Sequence, residues 1–160
     1  MFQNQKGFTL VELLVAIGII GILATVTTVS VSSIRAKGRD TKRVTDVKAI
    51  QSNLEIFAET NGGYPNPATK ASIEGLWMCN GDKAAAFKDD TGCVAANRIF
   101  RVPKNPAPGG GKYAYTGDAS FQTYKLFFRL EGDSASFKKG CNVATDKEIT
   151  TTPEADCLAP

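Results

Sequence analysis

An α+β fold, a long amino-terminal helix set against a small antiparallel β-sheet head, is what this sequence predicts, on three observations. No proline occurs between Met1 and Tyr64, so one helix can run from about Phe8 to about Thr60. Within that stretch the apolar residues form first an unbroken run and then a stripe at steps of three or four. Further on, Tyr124, Leu126, Phe128 and Leu130 alternate with other residues, which gives a strand one apolar face to lay on that stripe. The 160 residues, 42% hydrophobic and 22% charged, suffice for one ordinary domain.

Each element follows in order. Met1 to Gly7 is a short polar leader with one basic residue, Lys6. From Leu13 to Ile34 there are 22 residues without a charge. About 20 suffice to cross a bilayer as a helix, so the first half of the helix reads as transmembrane. A secretory signal peptide would have a shorter apolar core closed by a small-x-small site; here no such site closes the run, so the segment reads as a retained anchor. Within it, Thr25 to Ser33 consists wholly of β-branched residues and serine, modest helix formers that lipid holds helical and a protein-packed environment could bend or extend.

Arg35, Lys37, Arg39, Lys42 and Arg43 follow, with Asp40 the one acid among them. This reads as a solvated helix segment near lipid head groups, which attract Lys and Arg at about 1 kcal/mol each. By the positive-inside rule the cluster would hold the carboxy-terminal part in the cytoplasm. Four cysteines beyond it argue the opposite, since disulfides persist outside the cytosol. Next, Val44, Val47, Ile50 (or Gln51), Leu54 and Phe57 form the stripe, and Asn61-Gly62-Gly63 with Pro65 and Pro67 stops the helix. The head begins in loop-like sequence in which Trp77 and Phe87 are expected core side chains. Lys104 to Gly111 is a loop signal, and Tyr113–Thr116 and Phe121–Leu130 flank Gly117–Ser120 as a β-hairpin. Weak strand signals surround Phe137 and Val143 before a polar tail, and no internal repeat is present.

Several chemistries are excluded or unsupported. There is no histidine, which removes Ser-His-Asp and Cys-His catalysis and His-containing zinc sites. The formal charge of +3 is too small to suggest nucleic-acid binding, so a nucleic-acid partner is allowed but unsupported. Gly109-Gly110-Gly111-Lys112 lacks the first glycine and the Ser/Thr of a phosphate loop and reads as a flexible turn. Asp82, Asp89, Asp90, Asp118 and Asp133 form no calcium-loop pattern, and nothing singles out a catalytic carboxylate pair. No enzyme and no cofactor emerge. Cys79, Cys93, Cys141 and Cys157 contain no C-x-x-C and allow three pairings. Nearest neighbours are preferred, each closed loop contributing about 3 kcal/mol.

Glu12 stands alone within apolar sequence. A carboxylate there costs about 2.5–3.5 kcal/mol at a helix centre and less near an end. Either it reaches head-group water, or it meets a cation in an assembled state; cleavage between Gly7 and Phe8 would create such a cation. Lys6-Gly7-Phe8-Thr9-Leu10-Val11-Glu12-Leu13-Leu14 resembles the prepilin signature of type IV pilins and type II secretion pseudopilins. The resemblance is firm from Lys6 to Ile34, looser through 46–50 and 61–65, and one of general layout in the head.

The resemblance implies that a prepilin peptidase cuts after Gly7 and methylates the amino group of Phe8. Glu12 then neutralises the amino terminus of a neighbouring subunit as the helix enters a helical filament. Burying a complementary pair costs far less than burying one charge. It also implies a head outside the cytoplasm, other copies of the chain as partners, and an assembly platform with its ATPase. Many family members have a proline in the apolar helix; this chain has none, and 25–33 stands in its place. Secretion pseudopilins of the major type often bind calcium and usually lack disulfides, so four cysteines without a calcium loop favour a true pilin. The chain thus divides into a leader, 1–7; a transmembrane and assembly helix, 8–34; its amphipathic continuation, 35–61; and an α+β head, 62–160. The expectation is a type IV pilin-like subunit of a cell-surface filament serving adhesion, motility or DNA uptake. The alternatives are a periplasmic secretion pseudopilin and, from another class, a membrane-anchored binding module that never polymerises.

Overall fold

The computed structural model describes residues 7–67, 69–134 and 137–157, without the side chains of 26–30. Lys6 and the rest of the expected leader before Gly7 lie outside the described residues. The chain separates into two compact units, Met1–Ala36 and Lys37–Pro160. One helix, α1, runs from Leu10 to Asn61, 52 residues, and contributes to both.

In the first unit the backbone of 25–33 is α-helical like its surroundings. The described apolar side chains are exposed, from Phe8 at 90% to Ile34 at 68%. Among the described residues no helix is long and apolar enough to cross a membrane; the described side chains of the apolar run stop at Thr25 and resume at Val31.

In the second unit the same helix has a buried face. Val47, Ile50, Leu54 and Phe57 are at most 1% exposed, with Val44 partly buried beside them, and the half-buried Gln51 donates its side-chain amide to the Thr145 carbonyl at 2.9 Å. The helix ends as its sequence implies: Gly62 adopts φ +68°, and the Gly63 amide donates to Ala58 O at 3.0 Å. That six-to-one bond satisfies a carbonyl that the last turn leaves open, and a side chain at position 62 would strain the left-handed backbone.

Against the stripe lies a five-stranded antiparallel sheet in the order β1-β5-β6-β7-β8. Its strands are β1 (Ala71–Ser72), β5 (Ala114–Gly117), β6 (Tyr124–Leu130), β7 (Gly140–Ala144) and β8 (Ile149–Thr151). The hairpin β5–β6 pairs Tyr115 with Leu126, and β6–β7 pairs Leu126 with Ala144. Tyr124, Leu126, Phe128 and Leu130 are all buried, as their alternation requires. The turn after β5 is held by Asp118, whose carboxylate accepts from the Gln122 and Thr123 amides at 2.9 Å. With the Ser120 hydroxyl as its largest cause, that bonding holds Asp118 at about 2.

A second sheet, in the order β3-β2-β4, joins β2 (Trp77–Cys79), β3 (Phe87–Lys88) and β4 (Arg98–Arg101). The loop-like reading of this region therefore gives way to three short strands. Trp77 is not a core residue. It is half-buried, with the guanidinium carbons of Arg98 and Arg101 4.7 and 5.6 Å from its ring and its indole N–H donated to Asp90 at 2.7 Å. An indole with a polar handle suits such a half-wet site better than a dry core. Phe87 is partly buried, its ring edge-on to Tyr115. Phe137 forms only an isolated bridge with Ser134, and the polar tail contributes the edge strand β8.

Candidate functional site

The residues of the amino-terminal motif lie at the start of α1. Gly7 and Phe8 precede the helix, Thr9 occupies its N-cap position, and Glu12 stands three residues on. The Thr9 amide donates to Glu12 Oε2 at 2.8 Å, and the Thr9 hydroxyl donates to the same oxygen at 2.8 Å. In return the Glu12 amide donates to Thr9 Oγ1 at 3.3 Å. This is a capping box, the reciprocal use of two amides that the first helical turn leaves unpaired. Its signal, Thr-x-x-Glu, was available in the sequence, yet the sequence reading gave Glu12 only head-group water or a partner outside its own chain. Within one chain Glu12 already has a partner, and it stays exposed and within reach of more.

The basic cluster after the apolar run divides. Arg43 is wholly buried. Its Nη1 donates to Asp40 Oδ1 and Glu131 Oε1, both at 2.6 Å, its Nε to Asn105 Oδ1 at 2.7 Å, and its Nη2 to the carbonyls of Pro106, Pro108 and Gly109. Arg39 binds both oxygens of Glu131, at 2.7 and 2.5 Å. Lys42 pairs with Asp46, which also accepts from the buried Tyr113 hydroxyl at 3.1 Å. Asp40 accepts from the Glu131 and Gly132 amides. The expectation of a solvated segment at lipid head groups is therefore corrected for Arg39 and Arg43, whereas Lys42 stays exposed and pairs along its own helix. Only Arg35 and Lys37 among the five have no such partner among the described residues.

This arrangement also corrects the reading of Gly109–Lys112 as a flexible turn. Three carbonyls of the loop bind Arg43, and Asn105 donates to the Gly110 and Gly111 carbonyls. Gly110 is required by close approach, since a Cβ there would fall 2.5 Å from the Arg43 Nε. Arginine suits this hub because its planar fork offers five donors at fixed angles and stays charged when buried. The Arg39 hydrogen bonds, followed by those of Arg43, hold Glu131 down at about 2 despite its partial burial.

The cysteines form the bridges Cys79–Cys93 and Cys141–Cys157. The first ties the three-stranded sheet to the loop before β4; the second ties β7 to the carboxy-terminal segment. Among the described residues no three carboxylate or cysteine side chains gather to hold a metal. Asp89 accepts from the Thr91 hydroxyl and the Gly92 amide, Asp118 from its own turn, and Asp133 from the Lys139 amide.

The prokaryotic N-terminal methylation motif matches residues 2–28, which include Gly7, Phe8 and Glu12. The type II secretion system core protein G of Klebsiella pneumoniae is 35% identical over 104 residues, 65% of this chain and 70% of that protein. Its counterpart in Aeromonas hydrophila is 27% identical over 135 residues, 84% of this chain and 89% of that protein. That of Vibrio cholerae is 28% identical over 116 residues, 72% and 75% of the two chains. No solved structure matches significantly. These relatives favour the secretion alternative over the surface pilin to which four cysteines without a calcium loop pointed.

Proposed function

Since the chain belongs to the pilin and pseudopilin family of type II secretion system core protein G, we propose that it is the repeating subunit of a periplasmic pseudopilus in a secretion system. It is a structural protein, not an enzyme, as its family is. The observation that carries the reading is the exposure of the described apolar side chains from Phe8 to Leu23 and at Val31 and Ile34, within and just after the methylation motif, whereas the head has a closed core of its own. A helix apolar on every side needs either lipid or other helices around it. Lipid of the inner membrane supplies the first before assembly, and neighbouring copies supply the second after it.

In this scheme prepilin peptidase removes residues 1–7 and methylates Phe8. The new ammonium group of one copy then meets Glu12 of the next. The capping box holds the Glu12 carboxylate at the helix start in the meantime, where the helix dipole favours a negative charge. The membrane, the assembly platform and its ATPase are the further partners.

The test is the intact mass of the protein recovered from cells, with its location. A mass equal to residues 8–160 plus one methyl, less four hydrogens for two bridges, in a cell-associated fraction supports a pseudopilin. Recovery in filaments sheared from the surface at native expression would restore the surface pilin, which the two bridges favour. An uncleaved chain starting at Met1 would overturn both. Glu12→Ala is expected to abolish polymer, whereas Thr9→Val, which keeps the carboxylate, should lower its yield only partly.

A further inference from the structure

Within the Lys37–Pro160 unit only two large apolar side chains among the described residues are exposed, Ile56 at 50% and Val94 at 63%. Isolated exposed apolar residues are ordinary. These two differ in being set in opposite charge. Ile56 lies on the outer face of α1 with Glu55 and Glu59, and no cation of the described residues pairs with either carboxylate; Glu55 accepts only from the neutral Tyr64 hydroxyl. Val94 opens a short 3₁₀ turn, Ala95–Asn97, that buries no residue, so Val94, Ala95 and Ala96 stand out together. The Cys79–Cys93 bridge anchors the foot of this knob, and Arg98 Nε donates to the Cys93 carbonyl at 3.0 Å. Beside it Arg98 and Arg101 share the single carboxylate of Asp90, at 3.8 and 3.0 Å, leaving one positive charge over.

We propose that the Val94–Ala96 knob with Arg98 and Arg101 docks on the Ile56–Glu59 face of α1 in a second copy of this chain. The occupant is a second copy because both halves of the contact, one acidic around an isoleucine and one basic around a valine, are carried by one sequence. Two different patches that bind each other make a heterologous contact, which repeats openly along a helical array rather than closing a dimer. The bridge and the Arg98 bond pre-order the knob, so little side-chain or loop freedom is lost on docking. The contact rests on the proposed polymer and specifies how its heads meet outside the helical core.

The experiment places a benzophenone amino acid at position 94 of the full-length chain in cells that assemble it, and irradiates them. The expected result is a ladder of covalent multimers whose crosslinks map to 49–70, the tryptic segment holding Ile56. That ladder should be absent with Glu12→Ala. A second arm uses charge: Glu59→Arg and Arg101→Glu are each expected to lower the polymer several-fold, and the two together to restore most of it. Polymer that forms without 94-to-56 crosslinks, or a double variant no better than either single one, overturns the docking and leaves the pseudopilin standing. A wild-type chain that never polymerises overturns both.

Discussion

Compare the two stretches of α1, before and after Ala36. Both are rich in aliphatic residues and both are helical, but their apolar groups have different partners. From Lys37 on, Val47, Ile50, Leu54 and Phe57 are closed over by the chain's own sheet, and even the charges of Arg39, Lys42 and Arg43 are met within the unit. Before it, Leu13, Ile17 and Ile20 are more than half exposed. The difference teaches that one helix can carry a folding face and an assembly face in tandem. A stripe with period 3.6 is satisfied by one sheet, whereas a helix apolar all round is satisfied only by surroundings on every side.

The comparison breaks hardest at the folding face. Phe57→Ala is expected to lower the unfolding free energy of the head by about 3–5 kcal/mol, read by denaturant melts of the purified protein, because it removes a fully buried ring. Arg43→Ala should cost about 3–5 kcal/mol in the same measurement, since Glu131 and Asp40 lose a buried counter-charge and three loop carbonyls lose their donor. Removing the second bridge with Cys141→Ser and Cys157→Ser together is expected to cost about 3 kcal/mol, by freeing the carboxy-terminal segment in the unfolded chain.

Acid sharpens the same contrast. Glu131 is held at about 2 in the folded head against about 4.3 when unfolded. A lowered carboxylate contributes stability that is complete above about pH 5 and is lost as the pH falls from about 4.5 toward 2. The wild-type head should therefore lose stability over that window, and Glu131→Gln should flatten the slope while lowering stability at neutral pH. The smallest effect belongs to the assembly face. Ile20→Ser is expected to move head stability by no more than about 0.5 kcal/mol, while sharply reducing polymer. A large loss of head stability in that variant would mean that the first stretch is part of the folding core after all.

Much of this was legible in local pattern. The helix was expected from about Phe8 to about Thr60 and runs Leu10–Asn61, because proline absence, apolar spacing and the Gly62-Gly63 stop act over a few residues. The β5–β6 hairpin was legible for the same reason, its alternation having period two. The three-stranded sheet was not. Two of its strands are only two and three residues long, too short for any period to register. Trp77, expected in the core, is instead half-buried beneath the arginines of β4.

The sequence by itself determined the amino-terminal motif, the long helix with its two kinds of face, the hairpin, and the absence of histidine chemistry. Each is a property of neighbouring residues. Only the tertiary structure decided that Arg43 belongs inside. Its partners Glu131 and Asn105 lie 88 and 62 residues away, and no local pattern tells a buried guanidinium from a solvated one. The same holds for the split of the basic cluster and for the pinned glycine loop. Charge is written in the sequence, but whether water or another part of the chain answers it depends on contacts that only the closed fold brings together.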